Sequence, residues 1–173
     1  MRIESIHIRP EETWDCEAVS RIEYAAFQNH PMHPPGAEPT EHRIVERLRE
    51  AGALALSLVA EDEGGLQGHL ALSPAPVGHE AEDWYLLGPV GVLPERQGQG
   101  IGSALIREAL RVMADCGARG VVLVGDPGFY ARFGFRTCDG LEYPGVPNQY
   151  VLALTLRGNA PAGAIAAHPA FSG

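Results

Sequence analysis

The chain has few cysteines: Cys16, Cys116 and Cys138 are odd in number, far apart, and form no C-x-x-C pair. That usage argues against a disulfide framework and against a zinc site. No stretch reaches the roughly 18 uninterrupted apolar residues of a membrane helix. The first residues, Met1-Arg2-Ile3-Glu4-Ser5-Ile6, lack the apolar centre of a signal peptide, so a cytoplasmic location is expected. Basic residues are also scarce, with 13 Lys+Arg against 22 Asp+Glu and a net charge of −9. An acidic surface repels phosphate backbones, which disfavours nucleic acid as a partner and suits a cationic amine. What is present is an ordinary globular composition, 45% hydrophobic and 20% charged over 173 residues. That length is enough for one core, and no repeat or internal boundary interrupts it. The expectation is a single domain over 1–173, with 158–173 as a C-terminal tail.

The pattern along the chain is mixed α/β. Ile3, Ile6 and Ile8 lie near a short edge strand that Pro10 terminates. Trp14, Ala18, Ile22 and Ala25/Ala26 follow a helical period. Asn29–Pro39 carries four prolines and a glycine and breaks regular structure. Thr40 then stands where a helix N-cap belongs, and Gly52 where that helix ends. Leu54–Glu61 and Gln67–Ser73 read as a hairpin turning at Gly64-Gly65. After a polar loop, Pro74–Asp83, comes a strand over Trp84–Leu93. The clearest helix follows it, with Ile101, Leu105, Ala109, Val112/Met113 and Cys116 on one face and Gly117 as its cap. Val121–Val124 reads as a buried central strand, Pro127–Phe133 as two helical turns, Phe135 as the start of another strand, and Tyr150–Leu156 as the last.

Between the strand and the long helix lies Pro94-Glu95-Arg96-Gln97-Gly98-Gln99-Gly100-Ile101-Gly102. A glycine-rich turn opening a helix is an anion site: the backbone can come close, the first-turn N–H groups have no partners, and the dipole favours negative charge. It is not a Walker loop, since no Lys-Ser/Thr follows the glycines. Gly98-x-Gly100-x-Gly102 also has the wrong spacing for a dinucleotide fingerprint and lacks its acidic ribose partner.

The wider stretch, Val90-x-Val92-x-Pro94-x-x-Gln97-Gly98-x-Gly100-Ile101-Gly102, resembles the acetyl-CoA signature of the GNAT superfamily of N-acetyltransferases. Its Gln/Arg-x-x-Gly-x-Gly/Ala appears as Gln97-x-x-Gly100-x-Gly102. The resemblance runs on to Tyr130-Ala131-Arg132-Phe133-Gly134-Phe135, like the family's Tyr-x-x-x-Gly-Phe, and extends to the whole chain in element order. The forms GHLALSP, LGPVGVLPERQGQGIG, GDPGFYARFGF and HPAF look like one subgroup of small bacterial acetyltransferases. The resemblance implies an α+β fold in which a central mixed sheet is flanked by helices. It further implies that the strand bearing Val90 and Val92 splays from Val121–Val124, with the pantetheine arm in the gap. Gly88, Pro89 and Gly91, poor strand residues, fit a strand that bends.

Aminolysis of a thioester needs a neutral amine, a donor for the oxyanion and a proton for the leaving thiolate. The resemblance implies that the Val90 N–H is that donor, a fixed group worth roughly 3 kcal/mol. It implies that the amides of Gly98, Gln99, Gly100, Ile101 and Gly102, with Ser103 and the Gln97 side chain, hold the pyrophosphate. It makes Tyr130 the general acid toward the CoA sulfur. Acetyl-CoA is the expected co-substrate, with no metal, and a small-molecule or peptide amine the acceptor; neither membrane nor nucleic acid is a partner, and a homodimer is left open. A non-catalytic acyl-CoA sensor and a transferase using a longer acyl donor stand as alternatives; Tyr130 favours an enzyme, while small Gly88 and Gly91 leave room for a longer chain. For the general base the residues offer Glu82, Asp83, His69 and Glu142 without choosing. His30, His33 and His42 lie in or beside the loop that the family uses toward its acceptor, at a spacing unlike a metal helix. After Val124 the chain reads Gly125-Asp126-Pro127-Gly128 where the family commonly has Asn-x-x-Ala.

Overall fold

The computed structural model describes residues 5–28, 30–31, 33–79 and 82–172; Ile3 and Asn29 lie outside them. One six-stranded sheet organises the chain, in the order β1-β2-β3-β4-β5-β7. Its strands are β1 (His7–Pro10), β2 (Leu56–Asp62), β3 (Gly65–Pro74), β4 (Trp84–Val92), β5 (Gly120–Val124) and β7 (Val151–Thr155). Neighbours run antiparallel except β4 and β5, which are parallel. The helices are α1 (Cys16–Phe27), α2 (Glu41–Glu50), α3 (Ile101–Asp115) and the single turn α4 (Pro127–Tyr130). Two further strands, β6 (Leu141–Glu142) and β8 (Gly163–Ala164), form a small parallel pair. This is the mixed α/β architecture expected, with helices on both faces of the sheet.

Strand alternation sorts the core onto those two faces. On one, α3 sets Ile101, Leu105, Ile106, Ala109 and Met113 against Leu58, Leu70, Leu72, Leu87, Val121 and Leu123. At Gly68 the approach is close: a Cβ there would stand 3.1 Å from both Ile101 Cγ2 and Leu105 Cδ1. The opposite face is covered in two parts. Val19 of α1 and Val45 of α2 pack on Val59, and Ile165 packs with Trp84, Leu86, Val122 and Val151 further along.

Several boundaries differ from the sequence reading. Trp14 precedes α1 in a 3-10 turn and is 75% exposed; the helix buries Val19, Ile22 and Glu23 instead. Thr40 occupies the N-cap position of α2 without a side-chain capping bond. Pro74–Asp83 is more than a polar loop, because Ala75 and Val77 are buried and Val77 bridges to Ile165. Phe135 starts no strand: its ring is buried, and only Arg136 makes a single bridge, to Ala153. The tail holds β8, and its Ile165 and Ala170 are buried, so it closes one face of the sheet. Among the described residues no helix is long and apolar enough to cross a membrane.

Candidate functional site

Two glycine–proline effects open the sheet at its centre. The β3–β4 register pairs Leu72 with Leu87 but Leu70 with Val90, so Gly88 and Pro89 face one residue, Ala71. Two residues against one is a β-bulge, which bends the strand that carries it. On its other side β4 pairs with β5 only through Trp84–Gly120, Tyr85–Val121 and Leu86–Val122. Beyond the bulge the two parallel strands part, as the Gly88-Pro89 content suggests.

The direction of the freed groups follows from the ladder. Leu93 N–H donates to Gln67 O at 3.0 Å, in line with the pairing Gly68–Val92, His69–Gly91 and Leu70–Val90. Antiparallel partners alternate between bonded and non-bonded pairs, so Gly91–His69 is bonded while Val90–Leu70 and Val92–Gly68 are not. The N–H and C=O of Val90 and Val92 therefore point away from β3, into the opening toward β5.

The strand leads into the glycine turn. Pro94–Arg96 forms one 3-10 turn, Gly98 and Gly100 take φ of +77° and +87°, and α3 begins at Ile101. The first bond of the helix runs from Ala104 N–H to Gly100 O, and no side chain caps it. The N–H groups of Ile101, Gly102 and Ser103 thus lack intrahelical partners, at the positive end of a fifteen-residue helix. The Ile101 side chain is buried, so only its backbone faces the turn. Gln97 donates to Val92 O at 3.0 Å, and Gln97, Gly98, Gln99 and Gly100 are exposed. Arg96 ties the turn to the β2–β3 hairpin through Asp62, 2.6 Å away, and holds that carboxyl below the usual carboxylate range.

Tyr130 ends α4, just past the C-terminal end of β5 and so on the same end of the sheet as Val90. Its ring lies against Gly125, where a Cβ would stand 2.5 Å from Cε2. Phe129, Phe133 and Phe135 surround it at 4.9, 6.4 and 5.9 Å between ring centroids. Burial first, then the charge of Asp126, push its phenol up from the ordinary value, which keeps the proton on oxygen. Asp126 itself caps α4, accepting from Gly128 N–H at 2.9 Å.

The four base candidates separate. Glu82 and Asp83 precede β4 at the end remote from Val90, roughly 20 Å along the strand, and Asp83 pairs with Arg157 at 3.2 Å. Glu142 is exposed on β6. His69 is different: it is fully buried on the α1 face, with Nδ1 2.5 Å from Glu23 Oε2 and Nε2 2.7 Å from Ser57 Oγ. Of the other histidines, His33 meets Glu41 at 2.9 Å, His30 lies tilted against Phe27, and His42 meets Tyr24 edge-on. Among the described residues no group of three His, Cys, Asp or Glu could hold a metal ion, and all three cysteines are free.

Glu23 is the residue that sequence reasoning missed. It belongs to the buried stripe of α1 with Val19 and Ile22; a carboxylate in an apolar stripe was the available signal. It also explains Gly91, whose missing side chain leaves the space that Glu23 Oε1 occupies. That space is therefore not free for a longer acyl chain, whereas Gly88 has nothing within 4 Å of a would-be Cβ.

A mixed sheet opened between two parallel strands, with an anion-ready helix start beside the gap, defines a protein built to hold an extended ligand that carries phosphate. The family model described as acetyltransferase (GNAT) family matches residues 16–135, and the chain belongs to that family. It is similar over 96% of its length, at 43% identity and a TM-score of 0.82, to 97% of a GNAT family acetyltransferase from Brucella melitensis solved in complex with acetyl-CoA. A second solved structure, Escherichia coli YhbS in complex with CoA, has 30% identity and a TM-score of 0.85, covering 97% of this chain and 92% of that one. The curated sequence of the uncharacterised N-acetyltransferase YhbS from E. coli K12 is 42% identical over 97 residues, 56% of this chain. That match spans 58% of the length of the relative.

Proposed function

We propose that the chain is an N-acetyltransferase that moves an acetyl group from acetyl-CoA to a primary amine by direct attack, acting as one domain in the cytoplasm. The observation that carries this reading is the continuity of one free edge. The outward N–H and C=O of Val90 and the N–H of Val92 lead toward the N–H groups of Ile101, Gly102 and Ser103, which have no intrahelical partners, while Val92 O accepts from Gln97. An amide-bearing arm ending in a pyrophosphate is complementary to that edge, as an added strand is to an open sheet and as phosphate is to a helix start. Two solved relatives that hold acetyl-CoA or CoA support the same ligand class.

Acetyl-CoA supplies the activated acyl group. In this reading Val90 N–H donates to the acyl oxygen as it gains charge, Gln97 and the turn amides orient the phosphates, and Tyr130 gives its proton to the departing sulfur. A tyrosine whose phenol is pushed up holds that proton through neutral pH. The acceptor is a small-molecule or peptide amine. Basic residues in this chain are all arginine, so no lysine side chain of its own competes for acetyl groups in an assay.

The test combines a melting curve with CoA release. Acetyl-CoA and CoA should raise Tm by mass action, and free thiol should appear with at least one member of a panel of polyamines, amino acids, aminoglycosides and peptides. Failure of both nucleotides to shift Tm would remove the reading.

A further inference from the structure

Two arginines stand on aromatic rings between α3 and α4, and the acyl-transfer reading gives them no part. Arg107 of α3 holds its guanidinium carbon 5.1 Å from the centre of the Phe133 ring. Arg132, in the 3-10 turn that follows α4, holds its own 4.6 Å from the centre of the Phe129 ring. The two rings meet edge to face at 5.5 Å, so one aromatic pair carries both cations. Both arginines are exposed, and among the described residues no carboxylate pairs with either guanidinium. Glu108, next to Arg107 in the chain, is taken by Arg111 at 2.9 and 2.6 Å. Arg132 uses Nε on Phe129 O at 2.9 Å, which leaves its two Nη groups open.

We propose that Arg107 and Arg132 form a subsite for the phosphate on the ribose of the donor, and so select CoA over nucleotides that lack it. The proposal rests on the acyl-transfer reading above, in which the pyrophosphate lies on the first N–H groups of α3. Arg107 follows Ser103 by four residues, so the two share a helix face. Helical side chains lean toward the N-terminus of their helix, which carries the guanidinium back over the turn that holds Ser103. Phe129 and Phe133 pack on the same core cluster as α3, so Arg132 lies on that face of the sheet as well. From the start of α3 the two ends of the donor diverge. The pantetheine arm follows Val92 and Val90 into the sheet, and the adenosine is left to run outward over the α3–α4 surface. Arg96, the other arginine at the turn, is held by Asp62 of the β2–β3 hairpin.

The chemistry suits a phosphate monoester, which carries about −1.5 to −2 charge at neutral pH and three acceptor oxygens. A guanidinium stacked by its face keeps its N–H edge for acceptors, and its planar fork meets two phosphate oxygens at once. Stacking also fixes the plane before the ligand arrives, so less freedom is lost on binding. The net charge of −9 opposes an anionic ligand in general. A local pair of cations without carboxylates answers that opposition where the donor carries its most concentrated charge.

The test compares CoA with dephospho-CoA, which lacks only the ribose phosphate, by titration calorimetry. Wild-type protein should bind CoA about tenfold or more tightly, and added salt should shrink that advantage because the contact is exposed. Arg107→Met and Arg132→Met keep an unbranched apolar stem on each ring and remove the charge. Together they should weaken CoA alone and bring the two nucleotides to within about twofold of each other. The lysine pair, Arg107→Lys with Arg132→Lys, should keep part of the preference, since charge remains without the fork. Equal Kd values in the wild type would overturn the proposal. So would a methionine pair that keeps the full preference, or one that loses both nucleotides alike while the lysine pair does the same. Binding of dephospho-CoA separates this failure from that of the acyl-transfer reading, which falls, and takes the subsite with it, only if neither nucleotide binds.

Discussion

Glu23 Oε1 occupies the space that a side chain on Gly91 would need, and the two residues come from different elements, α1 and β4. A helix carboxylate and a strand glycine are therefore a single packing unit at the edge of the opening. Gly91→Ala should force Glu23 aside and destabilise the fold by about 1–3 kcal/mol, the usual cost of overpacking. The double variant Glu23→Ala/Gly91→Ala should lose less than the sum of the single ones, since its two residues share one space. Chemical denaturation of all three variants checks this, and strict additivity would show that the contact carries no energy.

Gly102→Asp separates folding from ligand binding. A Cβ there meets nothing nearer than Val92 Cγ2 at 3.8 Å, so the variant has room to fold. Its carboxylate would stand at the start of α3, where the proposed site receives phosphate. The Tm increase caused by CoA should disappear while the Tm of the free protein stays within a few degrees. A full CoA shift in Gly102→Asp would place the phosphates elsewhere.

Tyr130→Phe keeps the ring against Gly125 and its three phenylalanine neighbours. It removes only the hydroxyl. Affinity for acetyl-CoA should hold, and single-turnover acyl transfer should slow by roughly 10²–10⁴-fold if departure of the thiolate limits the rate. The alkaline limb of the profile should change as well, because the group that would deprotonate there is gone. A wild-type single-turnover rate would make Tyr130 a packing residue.

Acid should loosen the turn through Asp62. Arg96 lowers the pKa of this carboxyl, aided by the Gly64 N–H and Gln67. A carboxyl depressed in the folded state stabilises it above the unfolded value, about 3.9 for aspartate, and loses that contribution as pH falls through the folded value. Asp62→Asn should therefore melt below wild type at pH 7 and converge with it only in the acid range below about 4. A Tm difference that is constant from pH 7 down to acid would show that the ion pair is not its source.

The sequence carried the glycine turn and its place between a strand and a helix in full, because turn chemistry and helical period are local. Gln97, Gly98, Gly100 and the stripe Ile101, Leu105, Ala109 declare themselves within twenty residues. The bent strand was legible for the same reason, since Gly88 and Pro89 are poor ladder residues wherever they stand. Gly91 shows the limit: the same reading explained it by backbone irregularity, whereas its cause is a carboxylate from α1, some 68 residues earlier. Phe135 misled for a related reason. An aromatic after Gly134 looks like the start of a strand, but its ring is used to fill the core beside Tyr130.

By itself the sequence determined the element order, the anion-ready start of α3 and the family signature, all of which depend on residues a few positions apart. Only the tertiary structure decided which side of β4 is free, which of four base candidates lies near the opening, and what His69 touches. Those answers depend on strand register and on which helix covers which face. Glu23, His69, Ser57 and Glu11 come from α1, β3, β2 and the segment after β1, and no local period records that folding aligns their hydrogen bonds end to end.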